Sequence, residues 1–120
     1  MAITLDHTIV PAHDKDCAAA LFSEVLGLGP AAPLGPFAAV QVNPSLTLDF
    51  ADRDRFEPHH YAFHVDDDEF DAIFARITRA GIVYSSDPHM QDVGQINHRR
   101  GGRGLYFRDP DGHILEVLTR

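Results

Sequence analysis

Short stretches in which apolar and polar residues alternate are interleaved with two longer stretches whose apolar residues recur at helical spacing. The first alternating run is Leu5-Asp6-His7-Thr8-Ile9-Val10, with Leu5, His7 and Ile9 on one face and Pro11 expected to close it. Asp14 reads as the N-cap of a helix from about Lys15 to Leu26, carrying an apolar stripe of Cys17, Ala20, Leu21, Phe22 and Val25 and ending at Gly27. Residues 30 to 36, rich in proline and glycine, leave room for at most a short edge strand. Strands over 37 to 42 and 46 to 51 follow, joined by the turn Asn43-Pro44-Ser45, and in the second of them Thr47 and Asp49 share a face.

The same order then recurs. His59 to Val65 alternates, with His60, Ala62 and His64 on one side and Tyr61, Phe63 and Val65 on the other, the likelier core. Asp66 to Glu69 supplies an acidic helix start, and Phe70, Ile73, Phe74 and Ile77 mark the buried stripe up to Ala80-Gly81. Residues 82 to 86 read as a strand, Pro88 to Gly104 as a long loop of the kind that often serves function, and the rest as a hairpin. Its turn is Asp109-Pro110-Asp111-Gly112, with proline where φ must be fixed and glycine where it must be positive.

Two modules of strand, helix and three strands are thus expected, the first over about 1 to 53 and the second over about 56 to 120. His7 and His60 lie 53 residues apart at the openings of the halves, and Asp49 and Glu116 lie on their last strands. Glu116 stands between Ile114 and Leu118 on one strand face, a costly place for a charge without a positive partner. Packed around a pseudo-twofold axis, the modules would bring two imidazoles and one or two carboxylates into one cavity. Two histidines and a carboxylate form the donor set of non-haem iron sites, with open positions for water or substrate.

Composition narrows the class of partner. The 120 residues are 44% hydrophobic and carry a formal net charge of −8, which argues against nucleic acid, whose phosphates require a basic footprint. Five of the ten Lys and Arg residues lie late, at Arg99, Arg100, Arg103, Arg108 and Arg120. Eight histidines raise the expectation of a metal, and the single cysteine, Cys17, is expected to be a packing residue rather than a nucleophile. No apolar run has the length of a membrane span, and the start Met1-Ala2-Ile3-Thr4-Leu5-Asp6 lacks a signal-peptide layout, so a cytoplasmic protein without membrane contact is expected.

The runs Asp6-His7-Thr8-Ile9-Val10, Phe22 to Leu28, His60-Tyr61-Ala62-Phe63-His64-Val65 and Phe107-Arg108-Asp109-Pro110-Asp111-Gly112-His113-Ile114-Leu115-Glu116 together resemble the vicinal oxygen chelate superfamily. That superfamily includes glyoxalase I, extradiol dioxygenases, fosfomycin-resistance thiol transferases and bleomycin-binding proteins. The resemblance implies an α+β fold, two βαβββ modules in a cupped mixed sheet with the helices outside, and a homodimer acting on a small molecule. By it His7, His60 and Glu116 fall on the metal ligands, and Asp49 falls where glyoxalase I has a glutamate as fourth ligand.

A divalent metal is therefore expected, Fe(II) favoured, with manganese, nickel or zinc as alternatives, binding two neighbouring oxygens of the substrate. The intact three-ligand set favours extradiol-dioxygenase-like chemistry slightly over a glyoxalase I-like lyase or isomerase. A fosfomycin-type thiol transferase and a metal-free bleomycin-resistance-like binding protein are the other readings. The loop from Gln91 to Gly104 lacks the serine-bearing cation loop of the fosfomycin enzymes, and the complete ligand set counts against the metal-free reading. Tyr106 is a candidate phenolic acid or hydrogen-bond donor, and His64 a candidate beside the cavity. Asn97, His98, Arg99, Arg100 and Arg103 are read as a lid for an anionic or enolate-like substrate. His13, His89 and His113 are expected at the surface.

Overall fold

A computed structural model describes residues 2–120. In chain order it contains β1 (His7–Ala12), α1 (Lys15–Leu26), β2 (Ala32–Leu34), β3 (Phe37–Asn43), β4 (Leu46–Asp52), β5 (His60–His64), α2 (Asp67–Arg79), β6 (Tyr84–Ser85), β7 (Gly104–Arg108) and β8 (Ile114–Leu118). A single 3₁₀ turn, Arg99–Gly101, interrupts the loop between β6 and β7. The chain divides into two compact units, the first ending at Glu57 and the second beginning at Pro58.

Within each unit the strand order is first, last, third, second: β1-β4-β3-β2 in one and β5-β8-β7-β6 in the other. The first and last strands run parallel and the remaining neighbours antiparallel. This is an α+β fold of two βαβββ modules. Among the described residues no helix is long and apolar enough to cross a membrane.

In the first unit, Asp14 caps α1 by accepting from the backbone N–H groups of Asp16 and Cys17, and Gly27 ends it in the left-handed region at φ 71°. The helix buries Ala18, Ala19, Phe22 and Val25 with Ser23, a stripe rotated from the expected one. Cys17 is exposed, not packed; its thiol donates to Asp14, whose carboxylate holds the cysteine above the ordinary thiol value. The sheet that the helix meets decides which of its sides is buried. Small alanines at 18 and 19 allow close approach to the sheet, where Val10, Ala12, Val40, Leu48 and Phe50 complete the core. Strand β1 runs through Pro11 rather than stopping there, and β1 stands at the end of the sheet order, the place in a sheet where proline is tolerated.

In the second unit, Asp66 and Glu69 form a reciprocal capping box at the start of α2, and Phe70, Ile73 and Ile77 are buried as the helical spacing predicts. They pack in the unit whose core also holds Leu105, Phe107, Leu115 and Val117. The strand expected over 82 to 86 contracts to Tyr84–Ser85. The β7–β8 turn closes through Asp109, whose Oδ1 accepts from the N–H groups of Asp111 and His113, while Gly112 takes φ 85°.

Candidate metal-binding site

Both units build their polar residues on the parallel strand pair, and in the same register. His7 stands opposite Thr47, with Asp49 two residues further along β4. His60 stands opposite Ile114, with Glu116 two residues further along β8. The pairing of Asp49 with Glu116 seen as a sequence repeat is therefore a geometric equivalence.

In the first unit a cavity of about 460 Å³ is lined by Asp6, His7, Leu34, Gly35, Pro36, Phe37, Thr47 and Asp49. The exposed imidazole of His7 donates from Nδ1 to Asp6 Oδ2 at 2.8 Å. That bond, with the Asp6 charge, raises the His7 pKa above its ordinary value. It also leaves Nε2 as the lone-pair nitrogen of the neutral ring, the arrangement a ligating histidine needs. Asp49 is only 5% exposed, and its buried Oδ1 has no hydrogen-bond partner among the described residues. An orphaned carboxylate oxygen carries a desolvation cost that a cation would offset.

In the second unit His60 Nε2 donates to Glu116 Oε1 at 2.9 Å; the Glu116 side chain is 12% exposed and that of His60 46%. Tyr106 lies directly opposite Glu116 on β7, almost wholly buried, with its ring 5.8 Å from that of His60. Burial, then the Glu116 charge, raises the Tyr106 pKa, so the phenol keeps its proton. Arg99 Nη1 donates to Tyr106 Oη at 2.6 Å. Four side chains of one unit are thus connected: His60, Glu116, Tyr106 and Arg99.

The other expected site residues go elsewhere. His64 donates from Nε2 to the carbonyl of Thr119 at 3.1 Å, tying β5 to the end of β8. Arg103 donates to Asp71 Oδ1 at 2.7 Å and to Asp67 Oδ1 at 3.0 Å, with its guanidinium 4.5 Å from the Phe70 ring centroid. It fastens the loop to α2 and is not a free lid arginine. Asn97 holds Ser86 O through Nδ2 at 3.0 Å, and His98 is exposed at the start of the 3₁₀ turn. The loop is internally braced, since Asp87 accepts from the N–H groups of His89, Gln91 and Asp92.

His113 corrects the sequence reading most sharply. Expected at the surface, it is fully buried, and its Nδ1 accepts from the N–H of His59 at 2.9 Å. Its position at the foot of the hairpin turn, next to the Asp109 brace, is the signal that composition could not convey. Asp6 was likewise missed as the companion of His7, although adjacency in the chain carried the hint.

Among the described residues no three His, Cys, Asp or Glu side chains come together as a metal cluster; each unit by itself holds one candidate imidazole and one candidate carboxylate on its parallel strand pair. Imidazole nitrogens and carboxylate oxygens fit a divalent cation of the first transition row, and the orphaned Asp49 oxygen fits a site completed by positive charge.

Comparison with known proteins agrees with this architecture. The profile of the Glyoxalase/Bleomycin resistance protein/Dioxygenase superfamily matches residues 4–117. The solved structure named Oxidase ChaP-H1 is similar at 48% identity, over 99% of this chain and 97% of that one, with a TM-score of 0.95. Oxidase ChaP-H2 is similar at 49% identity, over 100% and 95% of the two chains, also with a TM-score of 0.95. Metallothiol transferase FosB of Shouchella clausii (strain KSM-K16) is 37% identical over 60 residues, or 50% of this chain. That match spans only 37% of the transferase.

Proposed function

Because the chain belongs to the glyoxalase/bleomycin resistance protein/dioxygenase superfamily, we propose that it is a divalent-metal-dependent enzyme acting oxidatively on a small molecule with two neighbouring oxygens. The observation that carries the oxidative reading is the 48% identity, over nearly the full length of both chains, to a protein named an oxidase. In this reading His7, His60 and Glu116 hold the metal, Asp49 is a candidate fourth ligand, and the active form is a homodimer. Fe(II) is the expected metal, with manganese, nickel and zinc as alternatives. When bound, the metal supplies Lewis-acid and oxygen-activating chemistry at the two substrate oxygens.

The chain's own residues then have distinct tasks. Asp6 orients His7 by taking its Nδ1 proton in a hydrogen bond, which presents Nε2. Glu116 and Asp49 supply the negative charge that the cation neutralises. Tyr106 holds a proton at Oη in a buried place, and so serves as a donor to Glu116 or to a developing oxyanion. Leu34, Pro36 and Phe37 give the open His7–Asp49 cavity an apolar flank against which the carbon skeleton of a substrate can rest.

Reconstitution with Fe(II) under anaerobic conditions, addition of catechols and then admission of air tests the reading. A yellow ring-cleavage product is expected from wild type and is expected to vanish in His60→Ala and Glu116→Ala. Turnover of the methylglyoxal–glutathione hemithioacetal by the nickel or zinc form, with no ring cleavage by the iron form, would move the assignment to lyase chemistry. Thiol transfer is a second reading, favoured by the 37% identity to a metallothiol transferase over half of this chain. Light scattering of the metal-loaded protein checks the dimer.

A further inference from the structure

Of the arginines in the long loop, one is directed at Glu116's neighbourhood and left without an acidic partner. Arg103 is consumed by Asp67 and Asp71 on α2. Arg99 instead places one N–H on the phenol of Tyr106 at 2.6 Å, its guanidinium carbon 5.5 Å from the ring centroid, and forms no ion pair among the described residues. A guanidinium has five N–H donors in a planar fork. One is used, and the rest remain for a ligand.

The backbone around Arg99 is built to hold it there. Asn97 and Gly104 exchange backbone hydrogen bonds at 2.8 and 3.0 Å, closing the base of the loop. A Cβ at Gly104 would stand 2.8 Å from Asn97 Oδ1, so any larger residue there would have to displace the Asn97 side chain. That same oxygen accepts from the Arg99 N–H at 3.3 Å, while the Arg99 carbonyl accepts from Gly102 at 3.0 Å. The next residue, Arg100, takes φ 55°, a left-handed conformation that costs a non-glycine residue energy. Strain of this kind persists where the surroundings over-determine it, and here it turns the chain so that Arg99 reaches Tyr106.

We propose that Arg99 is a specificity-determining residue that binds a carboxylate on the substrate, so that the enzyme selects acidic over neutral molecules among those with vicinal oxygens. The proposal rests on the functional reading above for the identity of the site, and on the Arg99–Tyr106 geometry for the charge preference. Arginine suits the role because its fork matches the two oxygens of a carboxylate, and charge-assisted pairs of this kind are about twice as strong as neutral hydrogen bonds. In a chain with a net charge of −8, an arginine with no carboxylate partner is a local site of attraction for an anion that the rest of the molecule repels.

The test compares 3,4-dihydroxybenzoate with 3,4-dihydroxybenzamide, which share the vicinal oxygens and differ in charge, by calorimetric titration of the zinc-loaded, redox-inert protein. Wild type is expected to bind the benzoate about tenfold more tightly, the worth of one charge-assisted bond. Arg99→Gln is expected to erase that preference while leaving benzamide affinity unchanged, and Arg99→Lys to retain part of it. Arg100→Gln, which removes the same charge from the neighbouring residue, is expected to keep it. Equal affinities in wild type would overturn the proposal, as would an Arg99→Gln effect shared by both probes, which would make Arg99 a support for Tyr106. Loss of preference in Arg100→Gln to the same degree would reduce it to general charge steering and overturn it too. If wild type takes up no zinc, the metal reading fails by itself. The metal-free protein is then titrated with benzoate and benzamide: an Arg99-dependent preference for benzoate supports the proposal, and none overturns it.

Discussion

His60 Nε2 lies 2.9 Å from Glu116 Oε1, on neighbouring parallel strands, so that the two donors satisfy one another in the second unit. Both atoms belong to the proposed ligand set, and a cation held there would replace their mutual hydrogen bond. Chelator-treated wild type is therefore expected to gain thermal stability on addition of zinc or manganese. At a hundredfold excess over Kd the gain is about 2.7 kcal/mol, or roughly 11–22 °C at about 4–8 °C per kcal/mol for a domain of 60–100 residues, and somewhat less for this longer chain. His60→Ala and Glu116→Gln are each expected to lose most of the rise in scanning calorimetry. An undiminished rise in both would remove these residues from the ligand set.

Asp49 predicts an opposition between stability and metal uptake. Its buried Oδ1 lacks a partner, so the metal-free protein carries the cost of an unsatisfied polar group, about 1–3 kcal/mol. Asp49→Leu is expected to raise the denaturation midpoint of the metal-free protein while weakening metal binding. Urea unfolding with and without metal separates the two effects. A variant less stable than wild type without metal would mean that the orphaned oxygen is paired in solution.

His113 is a strut for the hairpin that carries Glu116. Its ring is wholly buried and receives the His59 N–H, so His113→Leu leaves that N–H without a partner. The expected cost is about 1–3 kcal/mol in urea unfolding. His113→Gln, whose amide oxygen can still accept, is expected to recover part of it. Equal losses in the two variants would assign the effect to packing alone.

Asp109 predicts a pH dependence of defined sign. Burial raises the pKa of its carboxyl above the ordinary value, against the opposing influence of His113. The folded chain therefore holds this proton more tightly than the unfolded chain does. Its contribution to stability is present below the ordinary carboxylate value and is lost as pH rises through the folded value. Asp109→Asn keeps an oxygen for the Asp111 and His113 N–H groups and removes the titration. The variant is expected to show a flatter profile of urea midpoint against pH over the range upward from the ordinary carboxylate value, about 4. A profile that keeps the wild-type fall over that range would contradict the assignment.

Much of the fold was legible along the chain because its signals are local. Asp14 and Gly27 bound α1 where capping chemistry requires, and Asp109-Pro110-Asp111-Gly112 turns where proline and glycine allow. Period-two alternation put Glu116 on the face opposite Leu115 and Val117, which are buried. Where the signal was not local the reading slipped. The α1 stripe rotated toward Ala18 and Ala19, because which side of a helix is buried depends on the sheet it meets and not on apolar count alone.

Of the candidate site, the sequence by itself placed His7 and His60 on the first strands of the two modules and Asp49 and Glu116 on the last, as equivalents in a repeat of strand order. Register is the physical reason, since a two-residue period makes equivalent positions in equivalent strands face alike. Only the tertiary structure decided what surrounds those donors. It sent Arg103 to α2 and Arg99 to Tyr106, buried His113, and left one oxygen of Asp49 unpaired. Those outcomes depend on where a long loop and a hairpin turn come to rest in space, and side-chain partners seven to thirty-six positions apart are not written in any local pattern.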